Sequence, residues 1–244
     1  MPNFTAAAIL PCAGIGSRIG ASRPKQFLDL AGKPVFLWSL DVLLAHPGIG
    51  EIVLVLGAGE EDALWDLLEV KHQLAVKSGR IRLAQGGAER WMSVRNGVLA
   101  CAQDPDLVLV HDVARPFLQG EDVDAALEAA AQDGACTLAL PATDTIKWAG
   151  VGREPVVEKT LDRRRVWLTQ TPQAFRRSLL LECYRRPDLE TMGLTDEAGL
   201  IEACGDPVRL VPGADRLRKI TGPEDLEWAR WFATRERSGV AFQM

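Results

Sequence analysis

The sequence predicts an α/β protein built on a single doubly wound, mostly parallel sheet from which a β-arm protrudes. Three observations carry this. Short apolar runs alternate with segments of helical period about five times before Leu140. Two of the strand ends break into glycine loops, at Gly14 to Gly16 and at Gly86-Gly87, where ligands sit in open α/β sheets. From Pro141 to Gln170 the helical signal stops and short β-like pieces replace it.

The elements follow in order. Ala6 to Leu10 is too short for a helix and ends at Pro11, so it is a buried strand. Pro34 opens a helix over VFLWSLDVLLAH, whose Phe36, Leu37, Leu40, Leu43 and Leu44 recur at three-to-four spacing, and Pro47-Gly48 ends it. Glu51 to Leu56 is a strand and Glu60 to Val70 an amphipathic helix. Ile81 to Ala84 gives a strand, Gly86 to Arg90 a loop, and Trp91 to Cys101 a helix. Leu107 to Val110 is strongly apolar and runs into His111-Asp112-Val113-Ala114-Arg115-Pro116. A helix over Glu121 to Asp133 and a strand over Ala135 to Leu140 complete the first stretch.

Residues 141–170 then carry β-like pieces at Thr145 to Trp148, Val156 to Thr160 and Val166 to Thr169, with turns at Gly150 and Gly152. A two-stranded projection is marginal alone, which points to packing on something such as a second subunit. The remainder returns to α/β: a helix over Arg176 to Arg185, another after Thr195, a strand over Val208 to Val211 and a last helix from Pro223. Thr221-Gly-Pro-Glu224 has capping-box spacing for that last helix. The expected division is an α/β unit of 1–140 with 171–244, and an arm of 141–170.

Composition bounds the function. The 244 residues are 47% hydrophobic, enough for a sizeable core. A net charge of -5 argues against non-specific nucleic-acid binding, so an anionic ligand must meet local cations. The N-terminal MPNFTAAAILPCAG has neither a basic leader nor an unbroken apolar run, which argues against a signal peptide or membrane span and leaves the cytoplasm as the expected compartment. Five scattered cysteines, at 12, 101, 136, 183 and 204, form no CxxC pair, so disulfides and structural zinc are not expected.

The first glycine loop fits neither common phosphate motif. Ile19 stands where a dinucleotide fingerprint needs its third glycine, Pro24 stops a helix, and no Gly-Lys-Ser/Thr closes the loop. What remains is a glycine loop with two cations, Arg18 and Lys25: either a polyphosphate cradle or an ordinary βα turn. Asp112 and Arg115 would face the same crevice. An Asp there could hold a hydroxyl or a magnesium ion, or simply pair with the arginine. His46 and His72 fall too far from strand ends to complete a metal site with His111. Arg163-Arg164-Arg165 is a solvated corner or a phosphate clamp, and Lys219 a phosphate ligand or a surface lysine. Thr195-Asp196-Glu197 reads as a capped helix start, with the Thr195 hydroxyl as cap. Cys12 lacks a neighbouring base in sequence and reads as a small residue beside a ligand.

Assembled, these motifs resemble the 2-C-methyl-D-erythritol 4-phosphate cytidylyltransferases of non-mevalonate isoprenoid synthesis. The resemblance spans about Ala7 to Trp231 and rests on LPCAGIGSR with PKQ, GGAERWMSV, HDVARP, TDTIK with LDRRRVWLTQTPQAF, TDEA and RKITGPEDL. It implies a nucleotide-diphospho-sugar transferase-like fold, a CTP- and magnesium-dependent transfer of CMP to methylerythritol phosphate, and a homodimer formed through the arm. By resemblance, Arg18 and Lys25 match the basic pair that stabilises the transition state. Ala13, Gly14, Gly16, Gly87, Ser93 and Asp112 match positions around the nucleotide. Asp112, Arg115, Thr145, Thr171, Thr195 and Lys219 match the acceptor pocket, and Arg163 an arginine supplied by the partner's arm. The chain departs from the pattern at Cys12, Ala88 and Leu217, where alanine, aspartate and asparagine are usual. Ribitol 5-phosphate is the alternative acceptor.

Overall fold

A computed structural model describes residues 4–14 and 24–237 of the chain. Its strands are β1 (Ala6–Pro11), β2 (Glu51–Leu56), β3 (Ile81–Gln85), β4 (Leu107–Val110), β5 (Ala135–Pro141), β6 (Lys147–Ala149), β7 (Val157–Thr160), β8 (Trp167–Arg176) and β9 (Arg209–Pro212). Its helices are α1 (Val35–Ala45), α2 (Glu61–Leu67), α3 (Val70–Lys77), α4 (Arg90–Leu99), α5 (Gly120–Asp133), α6 (Arg177–Cys183), α7 (Glu197–Ala203) and α8 (Pro223–Arg237). Seven strands form one sheet in the order β3-β2-β1-β4-β8-β5-β9, while β6 and β7 pair separately as an antiparallel ribbon. Among the seven, β8 alone runs against its neighbours. The mostly parallel sheet expected from the sequence is therefore present.

Strand periodicity explains the two helical layers. Along β1, Ala8 and Leu10 join one core while Ile9 joins the other; β2 divides Leu54 from Val53 and Val55, and β4 divides Leu109 from Val108 and Val110. The first core is covered by α1 and α5 through Phe36, Leu40, Val123 and Leu127. The second is covered by α4, α6 and α7 through Val94, Val98, Leu180, Leu200 and Ile201. A fully buried leucine such as Leu40 contributes roughly 1.5–3 kcal/mol. Helix α4 approaches the sheet so closely that a Cβ on Gly97 would lie 2.6 Å from Ile9 Cγ2, which is why a glycine sits there. A third cluster packs α8 on Phe117, with Trp38, Trp228 and Phe232 around that ring.

Four local readings need correction. The helix expected over Glu60 to Val70 stops at Leu67, and a separate α3 follows. That second helix is hidden in sequence because its buried positions are His72 and Ala75 while Val70 and Leu74 face out. The His72 Nε2 pairs with Asp41 Oδ1 at 2.7 Å, while its Nδ1 is buried without a hydrogen-bond partner among the described residues. The piece at Val166 to Thr169 is the start of β8, which continues through TPQAF into the main sheet. Pro172 disguises this strand, but the β5–β8 register slips between Thr137 and Ala139, so no ladder bond is asked of the proline. Helix α7 is capped by Asp196, whose carboxylate accepts from Gly199 N at 2.9 Å, and not by Thr195. Asp225 rather than Glu224 closes the turn before α8, accepting from Thr221 N and Gly222 N.

The order β3-β2-β1-β4 places a topological switch between β1 and β4, since the chain winds outward to β3 and then returns across β1. The loops after β1, β2, β3 and β4 all open on that side. No helix among the described residues is long and apolar enough to cross a membrane.

Candidate active site

A cavity of about 780 Å³ lies at this switch point. Its walls come from the loop after β1 (Cys12, Ala13, Gly14), the turn at Lys25, the β2 and β3 ends, the start of α4, and Asp112 with Lys219. Strand order thus brings together residues far apart in sequence.

The nucleotide-side wall is a tight corner. Gly86 N donates to Leu56 O at 2.7 Å, and Gly87 N donates to Ser93 Oγ at 3.1 Å, while Ser93 Oγ donates to Glu89 O at 3.2 Å. A Cβ on Gly86 would meet Ala13 Cβ at 2.6 Å, and one on Gly87 would meet Met92 Cβ at 2.3 Å, so side chains are excluded and backbone lines the wall. The N-terminus of α4 opens here, a favourable end for an anion. Ala13, Gly14, Gly87 and Ser93 all line the cavity, as does Ala88. Gly16 and Arg18 lie outside the described residues.

Lys25 begins a short 3-10 turn after Pro24, whose fixed backbone angle sets its direction. Its Nζ reaches Ile220 O at 3.5 Å, across 195 residues of sequence. Ile220 N in turn donates to Ala114 O at 2.8 Å, which ties the Lys219 segment to the loop after β4.

Asp112 is the hub of the charged part of the cavity. Its Oδ2 accepts from Lys219 Nζ at 2.6 Å, and its Oδ1 accepts from Arg90 Nε and Nη2 at 3.2 and 3.1 Å. Burial alone would push its pKa up, but the charges of Arg90 and Lys219 hold it far below the usual carboxylate range. The backbone beneath it is fixed by a buried relay: Asp112 N donates to Thr171 Oγ1, Thr171 faces His111 Nδ1 at 3.2 Å, and His111 Nε2 faces Arg115 O at 3.0 Å. Burial lowers the His111 pKa to about 4, so the ring is neutral, consistent with Nδ1 accepting and Nε2 donating.

The remaining sequence-expected acceptor residues do not line the cavity among the described residues. Arg115 donates to Leu217 O at 2.6 Å and Thr169 O at 3.2 Å, tying β8 to the loop before Lys219. Leu217 is itself buried core, contributing its carbonyl. Thr171 is spent inside the relay. Thr145, Arg163 and Thr195 are exposed, and Arg163 donates to Thr143 O at 2.6 Å.

Two points of chemistry follow. Burial, with Glu60 nearby, pushes the Cys12 thiol well above its ordinary pKa, so no thiolate nucleophile is offered. Among the described residues no group of three or more His, Cys, Asp or Glu gathers, and both oxygens of Asp112 are engaged by cations. That donor set does not fit a resident metal ion. Arg90, which lines the cavity and grips Asp112, carried no role in the sequence reading; its motif was visible, but its partners lie on other elements.

The comparisons agree with this geometry. The sequence profile of 2-C-methyl-D-erythritol 4-phosphate cytidylyltransferase matches residues 6–235. A protein of that name from Pelotomaculum thermopropionicum is 43% identical over 220 residues, covering 90% of each chain. One from Syntrophus aciditrophicus is 38% identical over 233 residues, 96% of this chain and 97% of the relative. Among solved structures, the 4-diphosphocytidyl-2C-methyl-D-erythritol synthase of Anaerococcus prevotii superposes with a TM-score of 0.79 at 30% identity, covering 95% of this chain and 99% of that one. The 2-C-methyl-D-erythritol 4-phosphate cytidylyltransferase of Thermus thermophilus gives 0.74 at 32% identity, covering 94% and 99%. Matched by that profile over residues 6–235 and by those relatives over 90% or more of its length, the chain belongs to the 2-C-methyl-D-erythritol 4-phosphate cytidylyltransferase family.

Proposed function

We propose that this cavity is where the chain transfers CMP from CTP to 2-C-methyl-D-erythritol 4-phosphate, releasing pyrophosphate. The observation that carries the reading is the convergence of Lys25 and Lys219 on one wall beside Asp112, through Ile220 and Ala114. Two anionic substrates need separate cations at short range, and this wall supplies them. CTP is assigned to the glycine corner of Ala13, Gly14, Gly87 and Ser93, with Gly16 of the same loop. The acceptor phosphate is assigned to Lys219.

The reaction needs one displacement. An acceptor phosphate oxygen, already anionic at neutral pH, forms a bond to the α-phosphorus while the bond from that phosphorus to the oxygen leading to the β-phosphate breaks. Pyrophosphate carries away the electron pair. No general base is required, so the work is to bring two anions together and to stabilise charge on the α-phosphoryl oxygens. Lys25 is assigned the second task, together with Arg18. Magnesium is proposed to enter only with CTP, on phosphate oxygens and water as that ion prefers. Asp112 would have to release a cation to join it.

Arg115 and Thr171 are assigned to shaping the acceptor side through the loops they tie. Thr145 and Arg163 are assigned to the cavity of a second subunit in a homodimer. Their exposure away from this chain's cavity supports that reading, as does the solvent-facing apolar surface of the arm at Trp148, Val156 and Leu168. Thr195, also exposed, is kept with the acceptor side. The proposed organisation is a body of 1–140 with 171–244 and an arm of 141–170 from which β8 runs back into the sheet. The proposed compartment is the cytoplasm.

A pyrophosphate-release assay tests the function. Turnover is expected with CTP and methylerythritol phosphate, and weak or absent turnover with ribitol 5-phosphate or with ATP or UTP in place of CTP. Preference for ribitol 5-phosphate, or CTP binding without pyrophosphate release, would overturn the assignment.

A further inference from the structure

The side chain of Glu197 is wholly buried at the first turn of α7, on a different element from every cavity residue so far assigned a role. Its Oε2 accepts from Arg90 Nη1 at 2.6 Å, the guanidinium edge not used on Asp112. Arg90 therefore stands between two carboxylates, and the charges run in one line: Glu197, Arg90, Asp112, Lys219. The line is neutral as a whole, with two anions and two cations. It crosses α7, α4, the loop after β4 and the segment before α8.

We infer that Glu197 is a positioning residue for the transfer: it holds Arg90 so that Arg90 shares Asp112 with Lys219 and leaves the Lys219 ammonium aimed at the acceptor phosphate. The inference rests on the functional reading given above. A purely structural role accounts poorly for the arrangement. Replacing a buried ion pair by apolar side chains is often neutral or stabilising, so stability alone gives little reason to bury this carboxylate; the buried Tyr184 hydroxyl interacts with it, but Oε1 makes no hydrogen bond of normal geometry. Burial raises the Glu197 pKa while Arg90 opposes the rise, so the pair depends on Arg90 staying in place. Without the Glu197 charge, a buried positive charge remains uncompensated. Arg90 is then drawn wholly onto Asp112 and competes with Lys219 for the same carboxylate.

The test is a double-mutant cycle of Glu197→Gln, Arg90→Met and the pair, with wild type alongside. Glu197→Gln is expected to lower kcat/KM for methylerythritol phosphate by about tenfold or more, the scale of a misplaced binding group, with KM for CTP within about twofold. In the Arg90→Met background the Glu197→Gln change is expected to cost nothing further, because its route is already gone. Where Glu197→Gln alone does not fold, the pair, which removes both buried charges, is compared with Arg90→Met on the same readout. Equal losses for acceptor and CTP, a further loss in the Arg90→Met background, or unchanged acceptor kinetics in folded Glu197→Gln would each overturn the inference while leaving the functional reading intact. No turnover by wild type would overturn both.

Discussion

Lys25→Ala is expected to lower kcat by about a hundredfold or more at saturating CTP and acceptor, the scale of losing one donor to a developing charge, while both KM values change only a few-fold. The expectation comes from where the side chain stands. Lys25 leaves a proline-set turn, lines the cavity, and is anchored toward the segment that carries Lys219. Its charge is therefore assigned to the path of the α-phosphoryl group between the two proposed substrate positions. An ammonium that merely gathered the triphosphate would act on the ground state and the transition state alike. Steady-state kinetics separates these roles: a near-normal kcat with a raised KM for CTP would show ground-state binding only.

Mixing Arg163→Ala with Lys25→Ala protein is expected to restore activity that neither homodimer has. In a mixed dimer of the proposed kind, the subunit carrying Arg163→Ala would keep its own Lys25 and receive Arg163 from its partner, so one of the two sites would be whole. The other site lacks both groups. Recovery should approach half the wild-type rate per verified heterodimer. The structural basis is that Arg163 is exposed on the arm, holds Thr143 O, and does not line the cavity of its own chain. Heterodimers purified through two different tags and found no more active than the parents would remove the shared-site reading.

The sequence exposed the elements whose burial is written in apolar side chains. The runs forming β1, β2, β4 and β5 are nearly uninterrupted, and each was legible for that reason. β8 was not, since Pro172 and polar Thr171 and Gln173 occupy a central strand, where a register slip accommodates the proline, Thr171 pairs with Asp112 N and His111, and Gln173 donates to Thr137. α3 was not, because its inward face is a histidine held by an aspartate. The same division holds in the site. Gly87, Ser93, Lys25, Asp112 and Lys219 could be found one stretch at a time, because each belongs to a loop at a strand end. Arg90 and Glu197 could not: their roles lie in pairing across elements 107 residues apart, which no local pattern encodes.

The claim on which everything else depends is a single in-line displacement with no covalent nucleotidyl-enzyme. It is tested by turning over one diastereomer of CTP that carries sulfur on the α-phosphate and determining the configuration at phosphorus in the product. Direct attack by the acceptor phosphate predicts inversion, in keeping with a buried Cys12 whose thiol is pushed away from ionisation. Retention would require two displacements through an enzyme nucleophile and would contradict the account.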